Sequence, residues 1–349
     1  MSGNSNGELL SELSGNSYDE LLSELSGNSY DELLSEARWL QWKVKGSDLS
    51  FSTTNLHLPK LSVLDFSYSH ITKDWRGWKS LMASKRLKVL NLGWCLKLRR
   101  TPNLSAFTQL KILILLNCGG LEHLHPSIGE LTSLVSLDLS GCGSLKELPE
   151  EVGNLKDLEE LLLDRSGIRD IPLSIASLRK LEKLSTCICV SLREIPSSIG
   201  DLQNLQHLNL SYSGIKKLPS AIGRLKNLRT LSLESCFLSL NGAIPSEIGD
   251  LPSLEYLNLT WTPISDLPES IRNLSSLQHL DLRGCYNLWS LPELPSGLKY
   301  LSKPSIARTP SSEKRRRKWR RLDQSWDRRT CISAFVWIAK LKLGRVWQS

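Results

Sequence analysis

The chain lacks every short signature that marks a catalytic centre. It has no G-x-x-x-x-G-K-[ST] phosphate loop, no G-x-S-x-G elbow and no H-E-x-x-H helix, and its acids are spread without an evident pair. An enzyme is therefore not expected, nor is a small-molecule substrate. It has eight cysteines but no C-x-x-C pair, so the clustered ligands that a structural metal needs are missing and no metal or cofactor is implied. Long apolar runs are missing too: the longest late one, Ile332 to Ala339, falls far short of the ~20 residues that cross a bilayer. The first twenty residues are polar, with no basic start and no apolar stretch, so no secretory leader is expected. That points to the cytosol, where thiols stay reduced. Phenylalanine is scarce, at five against eleven tryptophans.

The net charge of +8 is unevenly placed. Residues 1–36 hold eight acids and no base, while residues 313–349 hold twelve bases and three acids. Residues 37–312 hold 32 bases and 25 acids, so the basic character is concentrated in the short C-terminal stretch and no basic domain need be invoked.

What the chain does have is a period. L-x-x-L-x-L begins at Leu61, Leu87, Leu110, Leu134, Leu158, Leu181, Leu205, Leu228, Leu254 and Leu277, with a degenerate copy at Ala37 and a partial one at Leu298. Copies at so narrow a spacing are identified as a leucine-rich-repeat solenoid. One copy cannot cover its own leucines, which are buried only when neighbours stack on both sides. The expected fold is an α/β-type horseshoe with a parallel concave sheet of about twelve short strands and loops, 3-10 and short helical turns on the convex side. At about 4.8 Å per strand the inner arc spans roughly 55 Å. Leu137 and Leu139 point inward, and Ser136, Asp138 and Ser140 face outward. A proline column, Pro102, Pro149, Pro172, Pro196, Pro219, Pro245, Pro268 and Pro292, with His125 in the remaining copy, marks the return segments. Proline suits them because it offers no amide hydrogen.

Three residues past the last strand leucine stand Cys95, Cys118, Cys142, Ser166, Cys189, Ser213, Cys236, Thr262 and Cys285. Six cysteines sharing one structural position with Ser and Thr read as a packing ladder of small side chains, each weakly hydrogen-bonded to the adjoining turn. His123 and His125, without a third ligand, read as structural.

Binding chemistry is expected on the outward strand positions and at the strand exits. The candidate partner-binding residues are Trp39, Trp94, Asp138, Asp164, Arg165, His207, Tyr212, Glu234, Tyr256, Trp261, His279, Asp281 and Arg283. Exposed aromatics and arginine among charges are what protein recognition surfaces are rich in. The plainer reading of any one of them is a solvated face residue.

Two segments lie outside the period, dividing the chain into residues 1–36, 37–302 and 303–349. The first holds three tandem copies, SGNSNGELLSEL, SGNSYDELLSEL and SGNSYDELLSEA; its small size and charge predict disorder or short helical turns. The last, basic segment is expected to be mostly disordered or a short helix. It carries Lys314, Arg315, Arg316, Arg317, Lys318, Arg320 and Arg321, a run that reads as a nuclear-import signal or a solvated tail, with specific nucleic-acid binding the weaker reading.

The repeat wording is closer to one family than to such repeats in general. The R-T-P-x-L-S opening, the H-P-S-I-G turn and the recurring C-x-x-L-x-x-L-P, all within Leu98–Pro149, resemble plant intracellular nucleotide-binding disease-resistance receptors of the class with a Toll/interleukin-receptor domain. ARWLQWK from Ala37 is similar to that family's first repeat, and LWSLPELPSGLKYL from Leu288 to its closing one. The resemblance spans residues 37–301 and implies a recognition module that binds a pathogen effector, a host protein or a receptor switch domain. It carries over neither nucleotide exchange nor NAD cleavage, because the matching stretch holds no Toll-type or nucleotide-binding residues. The alternatives are a general intracellular repeat scaffold or, from the wording LNGAIPSEIGDL (Leu240 to Leu251), part of a receptor-kinase ectodomain. One repeat breaks the pattern: Thr186 stands where a strand leucine is expected, which predicts a weak spot in the core.

Overall fold

A computed structural model describes residues 36–41, 58–236, 244–288 and 290–303. The tandem acidic copies of residues 1–35, the basic run Lys314–Arg321 and the rest of the C-terminal segment lie outside the described residues.

Each repeat contributes one three-residue strand: β1 (Trp39–Gln41), β2 (Val63–Asp65), β3 (Val89–Asn91), β4 (Ile112–Ile114), β5 (Ser136–Asp138) and β6 (Glu160–Leu162). The series continues with β7 (Lys183–Ser185), β8 (His207–Asn209), β9 (Thr230–Ser232), β10 (Tyr256–Asn258), β11 (His279–Asp281) and β12 (Tyr300–Ser302). Among the described residues these make one parallel sheet in simple sequence order, open at β1 and β12. The leucine-rich-repeat architecture read from the sequence is the one observed.

The register follows from the pattern. The central leucine of each strand pairs with the central leucine of the next, from Leu40↔Leu64 through Leu137↔Leu161 to Leu280↔Leu301. From Leu64 to Leu280 these side chains are at most 1% exposed. A second column, Phe66, Leu92, Leu115, Leu139, Leu163, Thr186, Leu210, Leu233, Leu259 and Leu282, is fully buried beside it. One strand's slip by one residue would turn both columns to solvent, so the hydrophobic pattern fixes the pairing.

Among the described residues, seven of the return segments are five-residue 3-10 turns, the first Pro126–Glu130 and the last Glu269–Asn273. Pro149, Pro172, Pro196, Pro219, Pro245 and Pro268 each stand at the start in extended geometry, where their missing amide is not needed. His125 takes that place in the first turn, and its Nδ1 accepts from the Ser127 amide at 3.1 Å. Successive turns pack so closely that only glycine fits between some of them. A Cβ on Gly223 would lie 2.5 Å from the Glu247 carbonyl oxygen, and one on Gly249 2.3 Å from that of Ser270.

The repeat after β2 differs. In place of a 3-10 turn it has a short α-helix, α1 (Gly77–Leu81), and an aromatic core in which Phe66, Trp75 and Trp78 meet edge to face at 5.2–6.3 Å. Trp75 and Trp78 are 4% exposed, and the Trp78 indole donates to the Thr72 carbonyl at 2.9 Å. Part of the tryptophan excess is therefore core.

Thr186 is buried among leucines with its hydroxyl 3.5 Å from the Asn209 carbonyl oxygen. Leu137→Ala is expected to lower the urea-unfolding free energy by about 2–5 kcal/mol. Thr186→Leu is expected to raise the unfolding midpoint, and a lowered midpoint would show that the core has closed around the smaller side chain.

Candidate recognition surface

One backbone feature organises the sheet's exit edge. Two residues past the second leucine column, ten consecutive repeats adopt a left-handed conformation, with φ between 54° and 75°: Tyr68, Trp94, Asn117, Gly141, Arg165, Ile188, Tyr212, Ser235, Trp261 and Gly284. The cause is the ladder itself. This geometry turns the amide toward the next repeat, as Trp94 N–H donates to Leu116 O, Arg165 to Cys187 O, Tyr212 to Glu234 O and Trp261 to Arg283 O, each at 2.7 Å. Left-handed backbone costs a residue with a Cβ about 1–2 kcal/mol, which glycine escapes. Eight of the ten positions nonetheless carry side chains, and Trp94, Arg165, Tyr212 and Trp261 hold theirs out to solvent.

The next residue is the ladder position, and here the hydrogen bonds run backward. The thiols of Cys95, Cys118, Cys142, Cys189, Cys236 and Cys285 each donate to the carbonyl of the last strand leucine or phenylalanine one repeat earlier, at 2.9–3.3 Å. Thr262 does the same to Leu233 O at 2.8 Å. Serine is not equivalent: Ser213 donates within its own repeat to Leu210 O, and Ser166 meets the Cys189 sulfur at 3.3 Å. The buried column begins one repeat before the cysteines, at Ser69, which shares the offset. Burial pushes the Cys95 thiol up to about 11 and those of Cys142 and Cys285 to about 12. Protonated thiols are neither nucleophiles nor metal ligands. Among the described residues no three His, Cys, Asp or Glu side chains converge on a point.

The outward strand residues divide by what they touch. Asp65, Asn91, Asp138, Asn209, Asn258 and Asp281 each accept the amide two residues on, at 2.8–3.1 Å, and so set up the turn. Asp281 is also buried, and its carboxylate is gripped by the Arg283 guanidinium at 2.6–3.0 Å. It presents Arg283, which is exposed, rather than meeting a partner itself. Asp138 is half-buried, and desolvation above all, with Asp164 and Glu160 nearby, raises its carboxyl. Asp164 accepts from the Ser185 hydroxyl and the Cys187 amide, and Glu160 pairs with Lys183 at 2.8 Å.

Aromatic groups gather at both ends. Trp39 lies half-buried on β1, remote from the others. His207 shares a 2.9 Å hydrogen bond with Thr230. Tyr256, His279 and Tyr300 form a ring column across β10–β12, with His279 stacked on Tyr300 at 4.4 Å and 14°; burial and Lys299 lower the His279 imidazole. Tyr68 stacks on Trp94 at 5.5 Å and 10°. Trp261 meets Tyr286 edge to face at 5.3 Å, and Tyr212 donates to Glu234 at 2.8 Å. Tyr68, Tyr286 and Tyr300 escaped the sequence reading, although Tyr68 shares the offset of Trp94, one residue before the ladder.

Comparison with known proteins agrees with this geometry. Residues 95–192 and 224–306 match the family described as leucine-rich repeat region, and residues 204–225 match leucine rich repeat. Over 92 residues the chain is 35% identical to disease resistance protein RPV1 of Vitis rotundifolia, which is 26% of this chain and 6% of that protein. The chain thus spans a small fraction of the length of that relative. Among solved structures, an internalin (inlF) from Listeria monocytogenes aligns with TM-score 0.55 and 19% identity, covering 79% of this chain and 84% of that one. The functional domain of InlJ from Listeria monocytogenes, which includes a cysteine ladder, aligns with TM-score 0.54 and 15% identity over 80% and 61%.

Two measurements check the ladder. A thiol reagent at pH 8 is expected to label none of the six buried ladder cysteines while the protein is folded, in contrast to the half-buried Cys187, and all of them in urea; fast labelling of any ladder thiol in the folded protein contradicts the burial. A thiol pKa raised in the folded state means the fold holds the proton more tightly. That stability is complete below the ordinary value of 9.0 and is lost as pH rises toward 12. Alanine at Cys142 is expected to flatten this alkaline loss.

Proposed function

This chain belongs to the leucine-rich-repeat family, and from that membership we propose that it is the recognition module of a plant disease-resistance protein acting in the defence response. It binds a protein partner through the outward face of the sheet and its exit edge. The partner is a pathogen effector, a host protein or a receptor's nucleotide-binding switch domain, and the role is binding, without catalysis. The observation that carries the reading is the exit row, where Trp94, Arg165, Tyr212 and Trp261 are held outward at backbone positions that favour glycine. Large rigid side chains kept exposed on strained backbone are hot-spot material. The plant-defence part is supported by the R-T-P-x-L-S and H-P-S-I-G wording and by the stretch similar to RPV1.

In this reading the protein works in the cytosol, with the basic run Lys314–Arg321 as a nuclear-import signal. No described helix is long and apolar enough to cross a membrane. A receptor ectodomain is the second reading, favoured by LNGAIPSEIGDL. Asn258, which opens the N-x-T glycosylation motif Asn258-Leu259-Thr260, weighs against it: the residue is 5% exposed, donates to Glu234 at 3.2 Å and accepts the Thr260 amide. A glycan on its Nδ2 would compete with the bond to Glu234 at a position that is almost closed to solvent.

Affinity purification from infected plant tissue, run beside pull-downs with isolated nucleotide-binding domains, tests the proposal. The Trp94→Ala/Trp261→Ala double variant is expected to recover about tenfold less partner or worse, with the cooperative unfolding transition retained because neither ring belongs to the buried core. Undiminished recovery removes the exit row from the reading.

A further inference from the structure

The exit edge of the C-terminal repeats holds a cleft of about 520 Å³ lined by Tyr212, Ser235, Trp261, Pro263, Gly284, Tyr286 and Asn287. Its walls are aromatic and its floor small. Tyr212, Trp261 and Tyr286 are 42–50% exposed, whereas Ser235 and Gly284 are buried. We propose that this cleft binds a left-handed polyproline II segment of a partner protein, with prolines three residues apart and a basic residue beside them. The proposal rests on the reading that this edge takes a protein.

The first support is rigidity. Gly284 is left-handed at φ 71°, and a Cβ there would come within 2.5 Å of the Trp261 ring, so the indole lies directly over the glycine. Tyr286 meets the same indole edge to face at 5.3 Å and 68°. The wall is thus set before a ligand arrives, and little side-chain freedom is lost on binding.

The second is spacing. Tyr212 and Trp261 stand two repeats apart with Ser235 between them, a separation of about 9.6 Å along the ladder. One turn of polyproline II advances three residues by about 9.3 Å, so prolines at i and i+3 present one face to successive ridges. The same edge near β2 and β3 offers no such gap. There Tyr68 and Trp94 occupy adjacent repeats and stack face to face, leaving no room for a ring between them.

The third is polarity. A polyproline II backbone has its carbonyls free and, at proline, nothing to donate. The cleft answers with donor-bearing residues: the Trp261 indole N–H makes no hydrogen bond to a described residue, and Tyr286 lines the same cleft. Proline-rich segments are generally held by aromatic-lined grooves of this kind. Beside the cleft, Glu234 receives only neutral donors, the Tyr212 hydroxyl at 2.8 Å and the Asn258 amide at 3.2 Å. No cation among the described residues comes within ion-pair distance of it. That carboxylate selects a basic residue at one end of the segment and fixes the direction in which it lies.

Fluorescence polarisation with short labelled peptides tests this. The probes are a P-x-x-P peptide with an arginine flank, its twin with both prolines replaced by alanine, and its twin with glutamine for the arginine. The first is expected to bind saturably, and the alanine twin about tenfold more weakly or worse. Trp261→Ala and Tyr286→Ala should each weaken the first probe similarly, while Tyr68→Ala leaves it unchanged. Glu234→Gln should abolish the difference between arginine and glutamine flanks. Absence of saturable binding, or equal binding of the alanine twin, overturns the proposal. If the proline probe fails while partner capture still depends on Trp94 and Trp261, only this cleft assignment falls; if both fail, the reading of the edge falls with it.

Discussion

Everything in this molecule depends on the hand-over between neighbouring coils. A three-residue strand cannot persist alone, and a coil of some two dozen residues cannot cover its own leucines. At the exit turn the chain passes an amide forward to the next coil through a left-handed residue, and a thiol or threonine hydroxyl backward to the previous one. These two opposed bonds surround the second leucine column and recur almost unchanged along the sheet. Cysteine suits the backward bond because its sulfur reaches a carbonyl one coil away while still packing as a small apolar group. The two serines depart from it: Ser213 turns to its own coil and Ser166 to the cysteine of the next one.

That hand-over also decides what the surface can display. Because the left-handed turn is demanded by the ladder, its recurrence alone is no mark of function. What distinguishes positions is the side chain placed there. Gly141, Gly284 and Asn117 answer the backbone requirement at low strain. Trp94, Arg165, Tyr212 and Trp261 oppose it and gain a fixed, solvent-facing orientation. The exit edge therefore carries aromatic groups in two separate arrangements, a closed stack at Tyr68 and Trp94 and an open cleft around Trp261.

The outward strand residues show how structural and recognition roles share one face. Asp138 and Asp281 read in the sequence as acids available to a partner. Each accepts the amide two residues along, so each is part of the turn that launches the exit residue. Asp281 goes further and clamps Arg283. Their chemistry is spent on presenting neighbours, and this could not be read from spacing because aspartate at a strand end serves either role.

By itself the sequence determined the repeat, the parallel sheet, the register and the common position of the six cysteines, because each follows from a period. A leucine every second residue in a strand, repeated every coil, leaves one way to bury all of them. The prolines, with His125 in their place once, followed for the same reason. Only the tertiary structure decided what each ladder sulfur bonds to, that Trp75 and Trp78 are core, and that Tyr286 lines a cleft with Trp261. These are contacts between coils, whose partners lie some two dozen residues apart, and the identity of an aromatic side chain carries no record of which neighbour it will meet.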